Sequence, residues 1–191
     1  EYAPLEKAWV PVTGDNYFYI YCLWVSGSYK GKGYGKELLQ SCIDDAKAQG
    51  KSGICLLSSK KKKPFLSEKK FMLKYGFKVV DTINDEYELL ALSFDGTQPQ
   101  FTSNVRKQSI EGKELTIYYG VQCPYIPNCI EQIYNYCENN QIPLRLVEID
   151  TLEKAKQLPC IFNNWAVFYN GKFETVHLLN EGLLKKLLQL K

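Results

Sequence analysis

The sequence is poor in the patterns that mark several large classes of function. Of its 191 residues only His177 is a histidine. One histidine and the spacing of the seven cysteines give no zinc site, so no metal is expected. No G-x-x-x-x-G-K-[ST] phosphate loop and no G-x-G-x-x-G run occurs. No two cysteines stand as C-x-x-C. No apolar run reaches the length of a membrane span and no signal peptide is visible, so no membrane role is expected. The net charge is only +3, split as +2 over residues 1–100 and +1 over residues 101–191. That balance gives no case for a nucleic-acid partner.

What is present is a well-supplied core. Hydrophobic residues make up 45% of the chain and aromatics 14%, too much for a disordered segment and enough for one large domain or two small ones. An odd number of cysteines without a secreted framework points to thiols in a reducing cytoplasm. Cys22, Cys42 and Cys55 lie inside apolar patterns and are expected to be buried. His177 falls in a short strand-like stretch.

The most informative stretch is Tyr29-Lys30-Gly31-Lys32-Gly33-Tyr34-Gly35-Lys36. It follows an apolar run, Tyr17 to Val25, expected as a central strand. It precedes Leu38, Leu39, Cys42, Ile43 and Ala46 at helical spacing, closed by Gly50 as a C′ glycine. Strand, glycine-rich turn and helix together make an anion site. The glycines permit positive φ and close approach, the first helical turn offers unpaired N–H groups, and Lys30, Lys32 and Lys36 add charge. Before it, Glu6–Thr13 is expected as a strand paired antiparallel to Tyr17–Val25. After it come a strand at Ser52–Ser58, parallel to the first, and the basic run Lys60–Lys63, either a solvated face or a set of phosphate contacts. A short helix capped by Ser67 and ended by Gly76 follows, and then a hairpin of Lys78–Ile83 and Tyr87–Phe94 around Asn84-Asp85-Glu86.

The run Lys30-x-x-Gly33-x-Gly35 resembles the Q/R-x-x-G-x-G/A signature of the GNAT superfamily of N-acetyltransferases. Lysine stands where Gln or Arg is usual, which keeps the charge and loses the planar fork. Leu23-Trp24-Val25 before the loop and Lys74-Tyr75-Gly76-Phe77 after it match the family in the right order. The resemblance implies an α/β fold with a mixed sheet and acetyl-CoA as cosubstrate. It also implies transfer of acetyl to a primary amine of a small molecule or peptide. Leu23, Trp24 and Val25 would meet the pantetheine arm between two splayed parallel strands. The backbone from Lys30, Gly31, Lys32, Gly33 and Tyr34 to Gly35 and Lys36 would hold the pyrophosphate. The family normally has a further N-terminal strand, one or two helices and another strand. Residue 1 is not a Met, and residues 1–95 are expected to be the C-terminal part of such a domain.

Catalytic side chains depart from the family pattern. Many members place an Asn and then a Tyr acid on the helix before K-x-G-F. Counting back from Gly76-Phe77 puts Phe65 and Met72 at those places. Tyr75, one turn on, is a substitute acid or a packing residue. Glu86 and Glu88 are candidate bases only on the expectation that they are exposed.

From Asp95 the composition turns polar, and residues 96–106 are expected as a linker. Residues 107–191 then read as a smaller α/β domain. Its elements are a strand at Glu114–Tyr119, a helix with Ile130, Ile133, Tyr134 and Cys137 on one face, and a strand at Leu144–Ile149. A short helix capped by Thr151 follows, then a hairpin through Asn170-Gly171 and a leucine-rich helix, Glu181–Leu190. The order β-α-β-α-β-β-α, with cysteines after the first strand, resembles thioredoxin. Cys123 occupies the place of a nucleophilic thiol, Cys129 is six residues on, and Cys160 is a third thiol that could approach them. Asn163 stands where thioredoxins carry a cis-proline. A GNAT domain with such a tail resembles the YoaP-like acetyltransferases. Acetyl transfer is the expected activity. Thiol–disulfide or thiol-binding chemistry at Cys123 and Cys129, and acyl-CoA binding without turnover, are the alternatives. A homodimer is kept open as an assembly.

Overall fold

A computed structural model describes residues 1–189. The chain divides into two compact units, residues 1–8 with 12–102 and residues 9–11 with those from 103 onward.

The first unit is built on a five-stranded sheet. Its strands are β1 (Tyr2–Pro4), β3 (Tyr17–Ile20), β4 (Gly53–Ser59), β5 (Lys78–Ile83) and β6 (Tyr87–Ser93), in the order β1-β3-β4-β6-β5. Only β3 and β4 are parallel; every other pair is antiparallel. Helix α1 (Tyr34–Ala48) makes the crossover between them. A separate ribbon joins β2 (Val12–Thr13) to β7 (Gln100–Phe101).

The core on the helix face contains Phe18 and Ile20 of β3, Leu39, Cys42, Ile43 and Ala46 of α1, Ile54 and Leu56 of β4, and Leu90 of β6. The helical period thus buries the expected face of α1, except that Leu38 is exposed. The helix stops as its sequence requires. Gly50 takes φ +62°, its N–H donates to Lys47 O, and the Lys51 N–H donates to Ala46 O, the paired bonds of a Schellman cap. Helix α2 (Lys69–Leu73) lays Met72 into the same core and ends before Gly76 at φ +86°. The turn between β5 and β6 places both Asn84 and Asp85 in the left-handed region, as short polar side chains allow.

Several expectations are corrected. The strand expected at Glu6–Thr13 is a 3-10 turn (Leu5–Lys7) followed by β2, and the antiparallel partner of β3 is β1. The strand expected to reach Val25 ends at Ile20, so Leu23, Trp24 and Val25 lie in irregular backbone. The apolar run continues because Leu23 still packs on the core without a strand around it. Cys22 is exposed, whereas Cys42 and Cys55 are buried. Ser67 does not cap α2; Glu68 occupies that place, and the Ser67 carbonyl accepts from the Ser58 hydroxyl at 2.8 Å. The stretch expected as a linker contains β7, and a 3-10 turn at Ser103–Lys107 follows it.

The second unit carries a four-stranded sheet. Its strands are β8 (Leu115–Tyr119), β9 (Leu144–Glu148), β10 (Trp165–Tyr169) and β11 (Lys172–Thr175), in the order β11-β10-β8-β9. The β8–β9 pair is parallel and the others antiparallel. Helix α3 (Ile126–Asn139) buries Ile126, Cys129, Ile133 and Cys137; Tyr134, expected on that face, is exposed. Thr151 caps α4 (Leu152–Lys156), accepting from the Lys154 N–H at 3.2 Å. Asn180 caps α5 (Glu181–Leu188) in the same way. Leu190, expected to end that helix, lies outside the described residues. Alternation along β10 separates two cores, with Trp165 and Val167 facing one and Ala166 and Phe168 the other.

Candidate functional site

The first unit's two parallel strands part early. They pair only at Tyr17–Gly53, Phe18–Ile54 and Tyr19–Cys55. β4 runs on to Ser59, held on its other side by β6 as far as the Ser59–Tyr87 pair. From Leu56 to Ser59 it has no strand on the β3 side. An opening therefore forms at the carboxyl ends of the parallel strands, where open α/β sheets place their ligands.

The glycine-rich turn stands at that end. A 3-10 turn (Gly27–Tyr29) leads into Gly31 at φ +80° and Gly33 at φ +90°, and Gly33 is the N-cap of α1. A Cβ on either glycine would meet nothing within 4 Å. The requirement for glycine there is conformational rather than steric. Hydrogen bonds from Lys36 and Glu37 close on the Gly33 carbonyl at 2.9 and 3.2 Å. Among the described residues, the N–H groups of Gly31, Lys32, Gly33, Tyr34 and Gly35 have no partner. Five successive free donors at the positive end of a 15-residue helix make an anion cradle. Lys30, Lys32 and Lys36 have no carboxylate partner among the described residues; the Lys32 ammonium lies 5.5 Å from the centre of the Tyr29 ring.

Beside the cradle is a cleft of about 520 Å³ lined by Trp24, Val25, Tyr29, Tyr34 and Leu38, among others. Trp24 is 60% exposed. This cleft explains why Leu38 breaks the buried pattern of α1. Of the residues expected to meet the cosubstrate, Trp24, Val25 and Tyr34 line the cleft. Gly31, Gly33 and Gly35 shape the cradle, and Leu23 turns into the core.

The basic run is mostly a solvated, paired face. Lys60, Lys62 and Lys63 bind Asp85, Glu68 and Glu86 at 2.7, 3.0 and 2.5 Å. Met72 is fully buried, whereas Phe65 is exposed at φ +63°. The Tyr75 ring packs 5.0 Å from that of Phe71 and against the core. Glu86 is exposed and paired, but the expectation that Glu88 is exposed is wrong. Glu88 is buried, its Oε1 bound by Lys69 at 2.6 Å, and its Oε2 has no hydrogen-bond partner among the described residues. The signal was a lone carboxylate in the apolar run Tyr87-Glu88-Leu89-Leu90-Ala91.

In the second unit Cys123 is half-buried, just before α3, and none of the seven cysteines is in a disulfide. Cys129 is buried on α3 and its thiol donates to Leu179 O at 3.1 Å; burial raises its pKa. Cys160 does not approach them. It belongs to the core on the other side of the sheet, where burial raises its pKa well above the usual range. The His177 backbone N–H is held by the Thr175 hydroxyl at 3.0 Å. Among the described residues no cluster of three or more His, Cys, Asp or Glu is set to hold a metal, and no helix is long and apolar enough to cross a membrane.

Comparison with known proteins matches residues 2–77 to the acetyltransferase (GNAT) family and residues 143–186 to the YoaP-like family. The chain is 39% identical over 190 residues to the uncharacterized N-acetyltransferase YoaP of Bacillus subtilis (strain 168). The match covers 98% of this chain and 76% of that protein. Among solved structures, a candidate GNAT acetyltransferase from Desulfovibrio desulfuricans matches 48% of the chain at 17% identity with a TM-score of 0.39. A candidate acetyltransferase from Agrobacterium tumefaciens matches 42% at 19% identity with a TM-score of 0.34. In both cases 58% of the other chain is covered.

Proposed function

Because the chain belongs to the YoaP-like acetyltransferases of the GNAT family, we propose that it transfers acetyl from acetyl-CoA to a primary amine. The observation that carries this reading is the run of five unpartnered N–H groups from Gly31 to Gly35, set beside the gap between β3 and β4. The cradle takes the pyrophosphate. The pantetheine arm runs into the gap, and the irregular backbone near Leu23–Val25 orients the thioester. The neutral amine attacks the carbonyl carbon directly, the C–S bond breaks, and the free thiol leaves. Holding two reactants in register supplies much of the rate in such a transfer, which suits a site with Met72 and Phe65 where the family often carries polar groups.

The strand order β11-β10-β8-β9 supports reading the second unit as thioredoxin-like and accessory, serving acceptor capture or pairing of two copies. A thiol pair at Cys123 and Cys129 has less support, since Cys129 is buried and hydrogen-bonded to Leu179. The cytoplasm is the proposed compartment, in keeping with seven cysteines outside any disulfide.

The test is thiol release from acetyl-CoA with an aminoglycoside, a peptide N-terminus, a lysine peptide and a polyamine in turn. Release that depends on one amine, with the acetylated product seen by mass, supports the reading. Binding of acetyl-CoA without release above the uncatalysed rate for any of them would leave a non-catalytic acyl-CoA-binding domain instead.

A further inference from the structure

We propose that Lys69, held in place by Glu88, stabilises the thiolate that departs from acetyl-CoA, taking the part for which Met72 is unsuited. The inference rests on the acetyl-transfer reading and adds a residue to it.

The geometry begins with α2. Lys69 and Met72 are three residues apart and share one face of that helix. Met72 is fully buried against the sheet, so Lys69 also turns toward it, and its ammonium meets Glu88 of β6 at 2.6 Å. Glu88 is in register with Ser58 of β4, near the end of the strand that borders the opening. α2 also reaches the glycine loop. A methyl group placed on Gly35 would lie 3.8 Å from the Phe71 ring and 3.9 Å from Val25.

Burial of its carboxylate sets this pair apart from its neighbours, since Lys63, paired with a 49% exposed Glu86, is 28% exposed itself. The side chains of Lys60 and Asp85 are 54% and 86% exposed, and those of Lys62 and Glu68 are 76% and 43% exposed. Such surface pairs contribute little. In the Lys69–Glu88 pair the values are 26% and 8%. Burying a carboxylate is costly, more so when one oxygen lacks a donor, as Glu88 Oε2 does. The cost fixes one ammonium, still partly open to solvent, at the carboxyl end of the central strands.

The chemistry balances without another reagent. The amine nitrogen bonds to the acetyl carbon, the C–S bond breaks, and its electron pair goes to sulfur. The Lys69 charge holds that thiolate. The nitrogen loses its proton to water, and the thiolate gains one from water as it leaves. Glu88 acts through Lys69 and is a positioning residue.

The test compares wild type, Lys69→Met, Lys69→Arg and Glu88→Gln, with hydroxylamine as the amine. For Lys69→Met, kcat on acetyl-CoA should fall about 100-fold, the range seen for loss of one preorganised charge-stabilising group, while calorimetric affinity for acetyl-CoA stays within about twofold. Lys69→Arg should recover most of the loss, and Glu88→Gln should lose about tenfold. On S-acetyl thionitrobenzoate, whose acidic thiol leaves unaided, Lys69→Met and wild type should agree within about threefold. Equal losses on both thioesters, or no loss on acetyl-CoA, would overturn the inference. If wild type binds no acetyl-CoA, the acetyl-transfer reading itself falls.

Discussion

In β3–α1–β4 the two parallel strands share three residue pairs; in β8–α3–β9 they share five, the full length of both. Both are strand–helix–parallel-strand units, and they differ in two linked ways. The first leaves β4 without β3 beside it from Leu56, and the run Gly31–Gly35 leading into its helix carries five N–H groups without a partner among the described residues. The second closes its ladder and has no such unbroken run, because Pro124 and Pro127 have no N–H to offer and the Ile126 N–H is bonded to Cys123 O. One crossover therefore leaves a gap beside an unbroken run of free donors, and the other pairs its strands over their full length. The contrast teaches that the same strand–helix–strand unit offers a ligand room only where its parallel strands diverge, and that free N–H groups at the helix start then face that room.

The largest expected effect comes from filling the open site. Gly33→Trp places a bulky side chain at φ +90° over the cradle, and acetyl-CoA affinity should fall more than about 100-fold, since both strain and blockage oppose the anion. Cys123→Ser, at the start of the closed unit, should leave that affinity unchanged. Isothermal titration of both variants breaks the comparison if the two behave alike.

Next in size is the packing that supports the open unit. Leu39 is fully buried between α1 and the sheet. Leu39→Ala should cost about 2–5 kcal/mol in urea unfolding, read from near-ultraviolet circular dichroism. A loss under about 1 kcal/mol would mean that this core is less closely packed than the burial indicates.

The smallest expected effect is acid sensitivity in the first unit. Hydrogen bonds from the Thr97 hydroxyl and N–H, at 2.6 and 2.9 Å, lower the Asp95 carboxyl from 3.8 to about 2. A carboxylate with a depressed folded pKa stabilises the fold above its unfolded pKa and loses that contribution as pH falls through the folded value. The difference in melting temperature between wild type and Asp95→Asn should therefore be constant above pH 4 and shrink toward pH 2. A difference that stays constant over that range would contradict the assignment.

Much of this was legible before the fold was seen, wherever a local rule decides. The α1 face follows from its 3.6-residue period, its end from Gly50, and the β10–β11 turn from Asn170-Gly171. The glycine spacing also pointed to the cradle. Non-local facts were hidden. An apolar run to Val25 reads as strand, yet the strand ends at Ile20 because β4 pairs with it no further than Tyr19 and the β1 side ends with Glu1 bonded to Tyr21 and Cys22, and Leu23 finds the core from a loop. Leu38 looks like a core residue because its period is right, but it borders a cleft. The Lys69–Glu88 pair depends on the register of β6 against β4 and on where a five-residue helix lands. Nothing within either segment alone encodes that meeting. Cys123 and Cys129 look like a pair in sequence, but helix phase buries the second.

The most direct measurement is a calorimetric titration of the protein with acetyl-CoA and, separately, with S-acetylpantetheine, which carries the same thioester and arm but no pyrophosphate. If the free N–H groups from Gly31 to Gly35 hold that pyrophosphate, acetyl-CoA should bind at least about 100-fold more tightly, and Gly33→Trp should erase the difference. Equal affinities for the two ligands in the wild type would contradict the account.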